Sequence, residues 1–260
     1  MSDQIQALLK TYPRVRPSLS SRHEELYVGE YQRSRSGGKG LPALVANMEA
    51  WMHRQVLGSG RDERILELGA GTLNHVPYEK SASVYDVVEP FHQLWENSPN
   101  RNRVTSIYKD ISEIGKDNSY DRIISVAVLE HLTDLPYVLA LCGLKLRENG
   151  KFKAGIPSEG GFLWSFGWRM TTGLSFRIRT GLSYEVIMRH EHVNCCDEIV
   201  ALCDYFFEKT SIRRFPLFGK HFSLYTVVDA SHPNRNRCSD FIRLRTGTFP
   251  APMKNYDTEP

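Results

Sequence analysis

Glu67, Gly69 and Gly71 stand together in "RILELGAGTLNHV", where an apolar run meets a carboxylate and then turns through two glycines. The glycines let a strand turn sharply and let backbone amides approach a ligand closely, as a nucleotide-binding first loop requires. A dinucleotide loop wants G-x-G-x-x-G, and the last position here is Asn74. Glu67 argues further against a pyrophosphate. A carboxylate just ahead of the loop repels phosphate and instead accepts hydrogen bonds from, or pairs with, an ammonium group. Glu89, 22 positions after Glu67 in "VYDVVEP", can accept both hydroxyls of a ribose. Asp110 in "IYKDISEI", beside the apolar Ile111, can read the amino group and flank of an adenine. Acids at three successive strand ends describe a cationic nucleoside.

The elements that must position these residues are strand-like runs separated by helical or loop segments: "RILEL", "SVYDVVE", "RVTSIYK", "YDRIISVAV", "GKFKAGI", "TSIRRFP" and "HFSLYTVVD". They predict an α/β fold, doubly wound around a mostly parallel, Rossmann-like sheet of seven strands. The last two runs are joined through "LFGK" alone, too short for the dozen or so residues of a parallel crossover, so an antiparallel hairpin is expected to end the sheet. Between the first two, "GAGTLNHVPYEKSA" allows a brief helix at best. Apolar spacing predicts a helix from Pro42 to Leu57, a second in "TDLPYVLALCGLKLREN" ended by Asn149 and Gly150, and a third in "NCCDEIVALCDYFFEK" opened by Asn194. Residues 1–58 read as a lead-in and helical cap, and 59–230 as the principal domain with an insertion over 158–192 before the last helix. Residues 231–260 form a basic, poorly periodic tail.

Composition bounds the function. With 33 basic against 30 acidic residues, a net charge of +3 gives no broad track for phosphates, so nucleic acid is not the expected partner. No apolar stretch is long enough to span a bilayer and no leader pattern opens the chain, which places the protein in the cytoplasm. Five cysteines without a C-x-x-C pair fit reduced packing thiols. In "HEHVNCC", His190, His192, Cys195 and Cys196 match no closed zinc pattern, and no metal is expected.

Taken together, the motifs resemble those of the class I S-adenosylmethionine-dependent methyltransferases: "ELGAGTLN" their first, acid-x-Gly-x-Gly motif, "DVVEP" the acidic second, "KDIS" the adenine-side acid, and "YDRIISVAVLEHL" the fourth-strand motif with a Glu-His-Leu ending. The resemblance covers residues 60–157, and Leu73 stands where a third glycine is often found. It implies S-adenosylmethionine as cofactor, with Glu67, Gly69, Ala70 and Gly71 at its methionine end, Glu89 at the ribose, and Asp110 and Ile111 at the adenine. Ala127, Val128 and Glu130 would close that pocket.

Methyl transfer asks for in-line alignment, exclusion of water and removal of a proton when the acceptor is a hydroxyl or a protonated amine. His131 in "LEHL" and His192 in "RHEHVN" are the candidate bases. In the insertion, Trp164 and Tyr184 with Arg177 and Arg179 can stack a ring and clamp a phosphate or carboxylate. That points to a small anionic acceptor such as a nucleotide sugar or an intermediate of bacterial glycan pathways. The insertion can equally be a lid on the sheet or a homodimer contact. "EYQRSRSGGKG", with Tyr31, Arg33 and Arg35, is a second segment that could fold over the cofactor. Three rival functions stay open: a catalytically silent methyltransferase-like subunit serving a partner, a dinucleotide-dependent oxidoreductase and, last because the charge balance offers no broad phosphate track, a nucleic-acid methyltransferase.

Overall fold

A computed structural model describes residues 3–27, 50–115 and 119–248. All seven runs form strands: β1 Glu63–Leu68, β2 Ala82–Val88, β3 Ser106–Tyr108, β4 Tyr120–Val126, β5 Leu146–Pro157, β6 Phe207–Pro216 and β7 Ser223–Pro233. They make one sheet in the order β3-β2-β1-β4-β5-β7-β6. The first five are parallel to one another, and β7 runs antiparallel between β5 and β6. The terminal pair is therefore the expected hairpin.

Period-two alternation divides the core. In β1, Leu66 and Leu68 face one side, where they meet Ile123, Phe152 and Val228 under helices α5 (Leu135–Lys145) and α9 (Cys196–Phe206). Ile65 faces the other side, in a smaller cluster with Val56, Leu73, Val76 and Val87. Between β1 and β2 lies only a single 3-10 turn, Val76–Tyr78. Helix α1 spans Asp3–Leu9, residues 21–27 (α2) and 50–55 (α3) are helical, and α4 spans His92–Trp95. Most of the helix expected from Pro42, and the segment with Tyr31, Arg33 and Arg35, lie outside the described residues. The insertion holds α6 (Phe162–Trp168), a π-helical turn (Arg169–Gly173), α7 (Leu174–Thr180) and α8 (Glu185–Glu191).

Four expectations are corrected. Helix α5 stops at Lys145, not at Asn149 and Gly150, because fully buried Leu146 already belongs to β5 and the Lys145 ammonium donates to the Ile114 and Gly115 carbonyls at 2.5 and 2.7 Å. Gly150 serves the strand instead: a Cβ there would lie 3.0 Å from the carbonyl oxygens of Arg147 and Tyr120. Helix α9 is capped by Cys195 rather than Asn194, with the Glu198 side chain accepting from the Cys195 amide at 2.9 Å. The supposed irregular tail forms a helix, α10 (Arg235–Thr248), which packs on α5 through buried Cys238. Gly143 on α5 makes room for it, since a Cβ there would sit 2.6 Å from the Cys238 sulfur. The insertion thus precedes the penultimate helix rather than the last. Among the described residues no helix is long and apolar enough to cross a membrane.

Candidate active site

In an open α/β sheet, ligands bind outside the carboxyl ends of the strands, and the residues of interest collect there. At the end of β1, Gly69 and Gly71 have φ of +66° and +51°, which side-chain-bearing residues adopt at a cost. Leu73, in place of a third glycine, takes the same left-handed conformation (φ +65°) and anchors it by full burial. A Cβ on Gly69 would lie 2.4 and 2.6 Å from the Val128 methyls, so the loop is pressed onto the end of β4. A Cβ on Gly71 would meet nothing within 4 Å. Close backing on one side and an open cradle on the other suit a ligand laid along the loop.

Glu89, just past β2, reaches over that cradle. Its carboxylate accepts from the Gly71 amide at 2.7 Å and from the Phe91 amide at 3.1 Å. Asp110, past β3, accepts from the Ser112 amide at 2.8 Å and so caps the turn Ile111–Glu113, while Ile111 is buried in the main core. The Ile111 side chain is therefore packed into the core rather than presented as the flank expected from the sequence. Glu67 is also turned inward. Only 3% exposed, its carboxyl accepts a 2.6 Å hydrogen bond from the Tyr85 hydroxyl. Burial pushes it up to about 8, against the pull of that hydrogen bond. The carboxyl tied to the Tyr85 phenol braces β1 against β2 and is turned into the protein rather than toward the loop.

Ala127, at the tip of β4, has a strained φ of +55° and donates its amide to the Gly155 carbonyl at 2.8 Å. The chain then enters the turn Leu129–His131. Glu130 is 2% exposed, and one of its carboxyl oxygens has no hydrogen-bond partner. Burial pushes this carboxyl up to about 7, opposed by the nearby charge of His192. The His131 and His192 rings meet edge to face with centroids 4.7 Å apart. The Nδ1–H of His131 donates to the Glu191 carbonyl at 3.0 Å, and that of His192 donates to the Glu159 carboxylate. Both hydrogen bonds leave the lone pair on Nε2. Burial works against the His192 cation, but the hydrogen bond and charge of Glu159, joined by the charges of Glu130 and Glu191, outweigh it and raise its pKa. Ligand atoms of Glu130, His131 and His192 lie within 4.8 Å of one another, close enough to hold a cation where none was expected.

Sequence reasoning passed over Glu159 and Arg16 and read Asn194 only as a helix cap. Glu159 follows β5 as Glu89 follows β2, so its strand-end position was the available signal. Arg16 donates to the carbonyls of His190, Glu191 and His131 at 2.9, 2.9 and 2.7 Å, tying the N-terminal segment to His131 and to the end of α8. Asn194 donates to the Leu129 and Leu132 carbonyls at 2.8 and 2.7 Å and accepts from the Tyr12 hydroxyl at 2.7 Å, which clamps the Glu130 turn to the start of α9. No sequence signal marked these long-range partners.

The proposed acceptor residues divide. Trp164 packs edge-on against Tyr225 of β7 and Tyr184 against buried Phe176, so both rings are held in the insertion. Arg177 and Arg179 are exposed on α7, Arg179 beside the Phe176 ring at 6.0 Å. A cavity of about 390 Å³ lined by Gly58, Glu63, Asp121 and Arg122 lies at the other, amino end of the strands and belongs to a separate region.

No family model matches the chain. In sequence it is similar to the tRNA1(Val) (adenine(37)-N6)-methyltransferase of Dyadobacter fermentans, 25% identical over 201 residues covering 63% of this chain and 84% of that protein. In structure it is similar to a SAM-dependent methyltransferase of Thermotoga maritima described as a possible histamine N-methyltransferase (TM-score 0.55, 17% identity, 81% of this chain and 98% of that one). It also resembles the N-methyltransferase NodS of Bradyrhizobium japonicum in complex with S-adenosyl-L-homocysteine (TM-score 0.52, 13% identity, 83% and 100%). The chain has the Rossmann-like methyltransferase fold. Sequence and structural neighbours together support a class I S-adenosylmethionine-dependent methyltransferase, with S-adenosylmethionine as the cofactor.

Proposed function

We propose that this protein transfers a methyl group from S-adenosylmethionine to an oxygen or nitrogen of a small anionic acceptor, such as a nucleotide sugar or glycan intermediate, with His192 as the proton acceptor. The observation that carries the reading is the His192–Glu159 pair, set beside His131 and Glu130 at the carboxyl ends of β4 and β5.

The loop suits the cofactor. Gly71 leaves its cradle open, Val128 backs Gly69, and Glu89 supplies a carboxylate for the two ribose hydroxyls. Gly69, Ala70 and Gly71 would carry the methionine end through backbone groups, with Glu67 bracing them from below. Asp110 and the Ile111 backbone would meet the adenine, and Ala127, Val128 and Glu130 would close the pocket. When bound, S-adenosylmethionine supplies an electrophilic methyl on a sulfonium. The chain's own task is then to place the acceptor and move one proton. With Nδ1–H committed to Glu159, His192 can receive that proton at Nε2, and the resulting imidazolium is stabilised by Glu159. His131, edge-on to the His192 ring, and Arg16, bound to the carbonyls around it, are positioning residues. Trp164, Tyr184, Arg177 and Arg179 are the acceptor-side candidates: an aromatic wall with cations for a phosphate or carboxylate.

The test is a methyl-transfer assay over phosphate- and carboxylate-bearing small acceptors, comparing wild type with His192→Gln and repeated with a chelator. Turnover of a small acceptor that His192→Gln abolishes and the chelator leaves intact supports the reading. Turnover that survives His192→Gln removes His192 as base, and loss of turnover to the chelator assigns Glu130, His131 and His192 to a metal instead. Methylation of RNA alone would replace the small acceptor with the acceptor class of the Dyadobacter relative.

A further inference from the structure

The insertion carries an apolar surface that, apart from the neighbouring Arg177, the methyl-transfer site does not use. Phe162, Phe166, Met170, Leu174 and Ile178 recur every four residues along α6, the π turn and α7, and all five are exposed, Ile178 to 79%. In a plain α-helix a four-residue repeat drifts around the axis; the wider i→i+5 turn at Arg169–Gly173 reduces that drift and keeps the residues on a stripe. Other contacts hold the stripe outward. Trp164 is fixed against Tyr225, Phe176 is fully buried, and Phe162 and Phe166 stack on each other with centroids 6.0 Å apart.

A second segment joins it. Helix α6 packs beside the turn Lys220–Phe222 at the β6–β7 tip, where Gly161 comes so close that a Cβ would lie 2.4 Å from the Lys220 carbonyl oxygen. Leu217, Phe218 and Phe222 are exposed on that tip, Phe218 to 94%. Soluble monomers rarely leave so many large apolar side chains contiguous without a partner.

The charge pattern names the partner. From Gly160 to Tyr184 the chain has no Asp or Glu, while Arg169, Arg177 and Arg179 interrupt the apolar residues. Arg169 and Arg177 are exposed and meet no carboxylate among the described residues; Arg169 lies over the Trp168 ring at 5.1 Å. A helix with aromatic and aliphatic residues on one face, arginines beside them and no acid suits the boundary between anionic headgroups and acyl chains.

We propose that the α6–α7 stripe and the β6–β7 tip form a docking face for an anionic membrane surface, with Phe162, Phe166, Ile178 and Phe218 entering the interface and Arg169 and Arg177 meeting lipid phosphates. The protein lies on the bilayer and does not span it.

Co-sedimentation of the full chain with vesicles of phosphatidylglycerol and phosphatidylcholine, against phosphatidylcholine alone, tests this directly. The wild type is expected to pellet with the anionic vesicles and to be released by salt. Arg169→Gln and Arg177→Gln should each lower the partition about fivefold. Ile178→Ser with Phe218→Ser should lower it at least about tenfold, because both apolar side chains would otherwise be buried in the interface. All four positions are exposed, and unchanged circular dichroism and melting will show that the variants fold. A wild type that stays in the supernatant, or variants that pellet as it does, overturns the proposal. So does a wild-type dimer in light scattering that Phe218→Ser dissolves, since a second copy would then be what covers this face.

Discussion

The two ends of the β-strands both bury charge, and they do so in opposite ways. At the amino ends, Arg122 of β4 is 2% exposed, yet every hand is filled. It donates to Glu79 at 2.6 and 2.9 Å, to Glu63 at 2.7 and 3.0 Å and to the Val56 carbonyl at 2.9 Å. His75 meets Glu79 at 3.0 Å and His53 at 2.9 Å. Burial works to raise the Glu79 carboxyl, but the hydrogen bonds from Arg122 and His75 override it and hold it down at about 2. At the carboxyl ends the accounts stay open: Glu130 keeps an unpartnered buried oxygen, Ala127 is strained, and Gly71 faces empty space. Saturated charge fastens a fold, whereas strain and unmet polarity persist where a ligand is to complete them. The cavity at the amino ends is thus a seam between paired charges, and the chemistry belongs at the other end.

Breaking the saturated end should cost most in stability. Arg122→Met leaves buried Glu79 and half-buried Glu63 without a cation, and we expect a loss of about 3–5 kcal/mol in chemical denaturation. A variant as stable as wild type would mean that Arg122 is dispensable and the contrast false. At the open end, His192→Gln should lower turnover by about 100-fold or more and leave S-adenosylhomocysteine affinity unchanged, measured by assay and calorimetry in parallel. Parallel loss of binding would instead place His192 in the cofactor pocket. A smaller effect is expected of Glu89→Ala, a loss of cofactor affinity of more than about tenfold, since it strips the ribose hydroxyls of a charged acceptor.

The last prediction concerns pH. Folded Glu67 holds its proton up to about 8, while the unfolded carboxyl releases it in the usual carboxylate range. The folded state therefore binds more protons across that window, and Glu67 lowers stability as pH rises through it. Glu67→Gln removes this penalty, so its melting temperature relative to wild type should climb between pH 5 and pH 8. A difference independent of pH would show that Glu67 is ionised in the folded protein.

Local signals were the legible ones. Alternation in "RILEL" and "YDRIISVAV" gave β1 and β4, and the short "LFGK" link gave the antiparallel pairing of β6 and β7. The strand-end acids were found, but not how each side chain turns. Glu67 and Ile111 point inward because strand alternation and the Asp110-capped turn decide their direction, which identity alone does not. Glu159, Arg16 and Asn194 act across 33 to 182 residues of sequence, where no periodicity reports a partner. Helix α10 escaped because charged residues dominate it and few apolar ones, Cys238 and Phe241 among them, carry its packing.

Everything at the open end depends on the glycine cradle and Glu89 holding an adenosyl cofactor. Calorimetric titration of wild type and Glu89→Ala with S-adenosylhomocysteine, with NAD as control, tests that most directly. The expected result is micromolar binding of S-adenosylhomocysteine to wild type, none of NAD, and a loss of more than about tenfold in the variant. Absence of binding to the wild type would contradict it and turn attention to a silent subunit, and binding of NAD alone would point to an oxidoreductase.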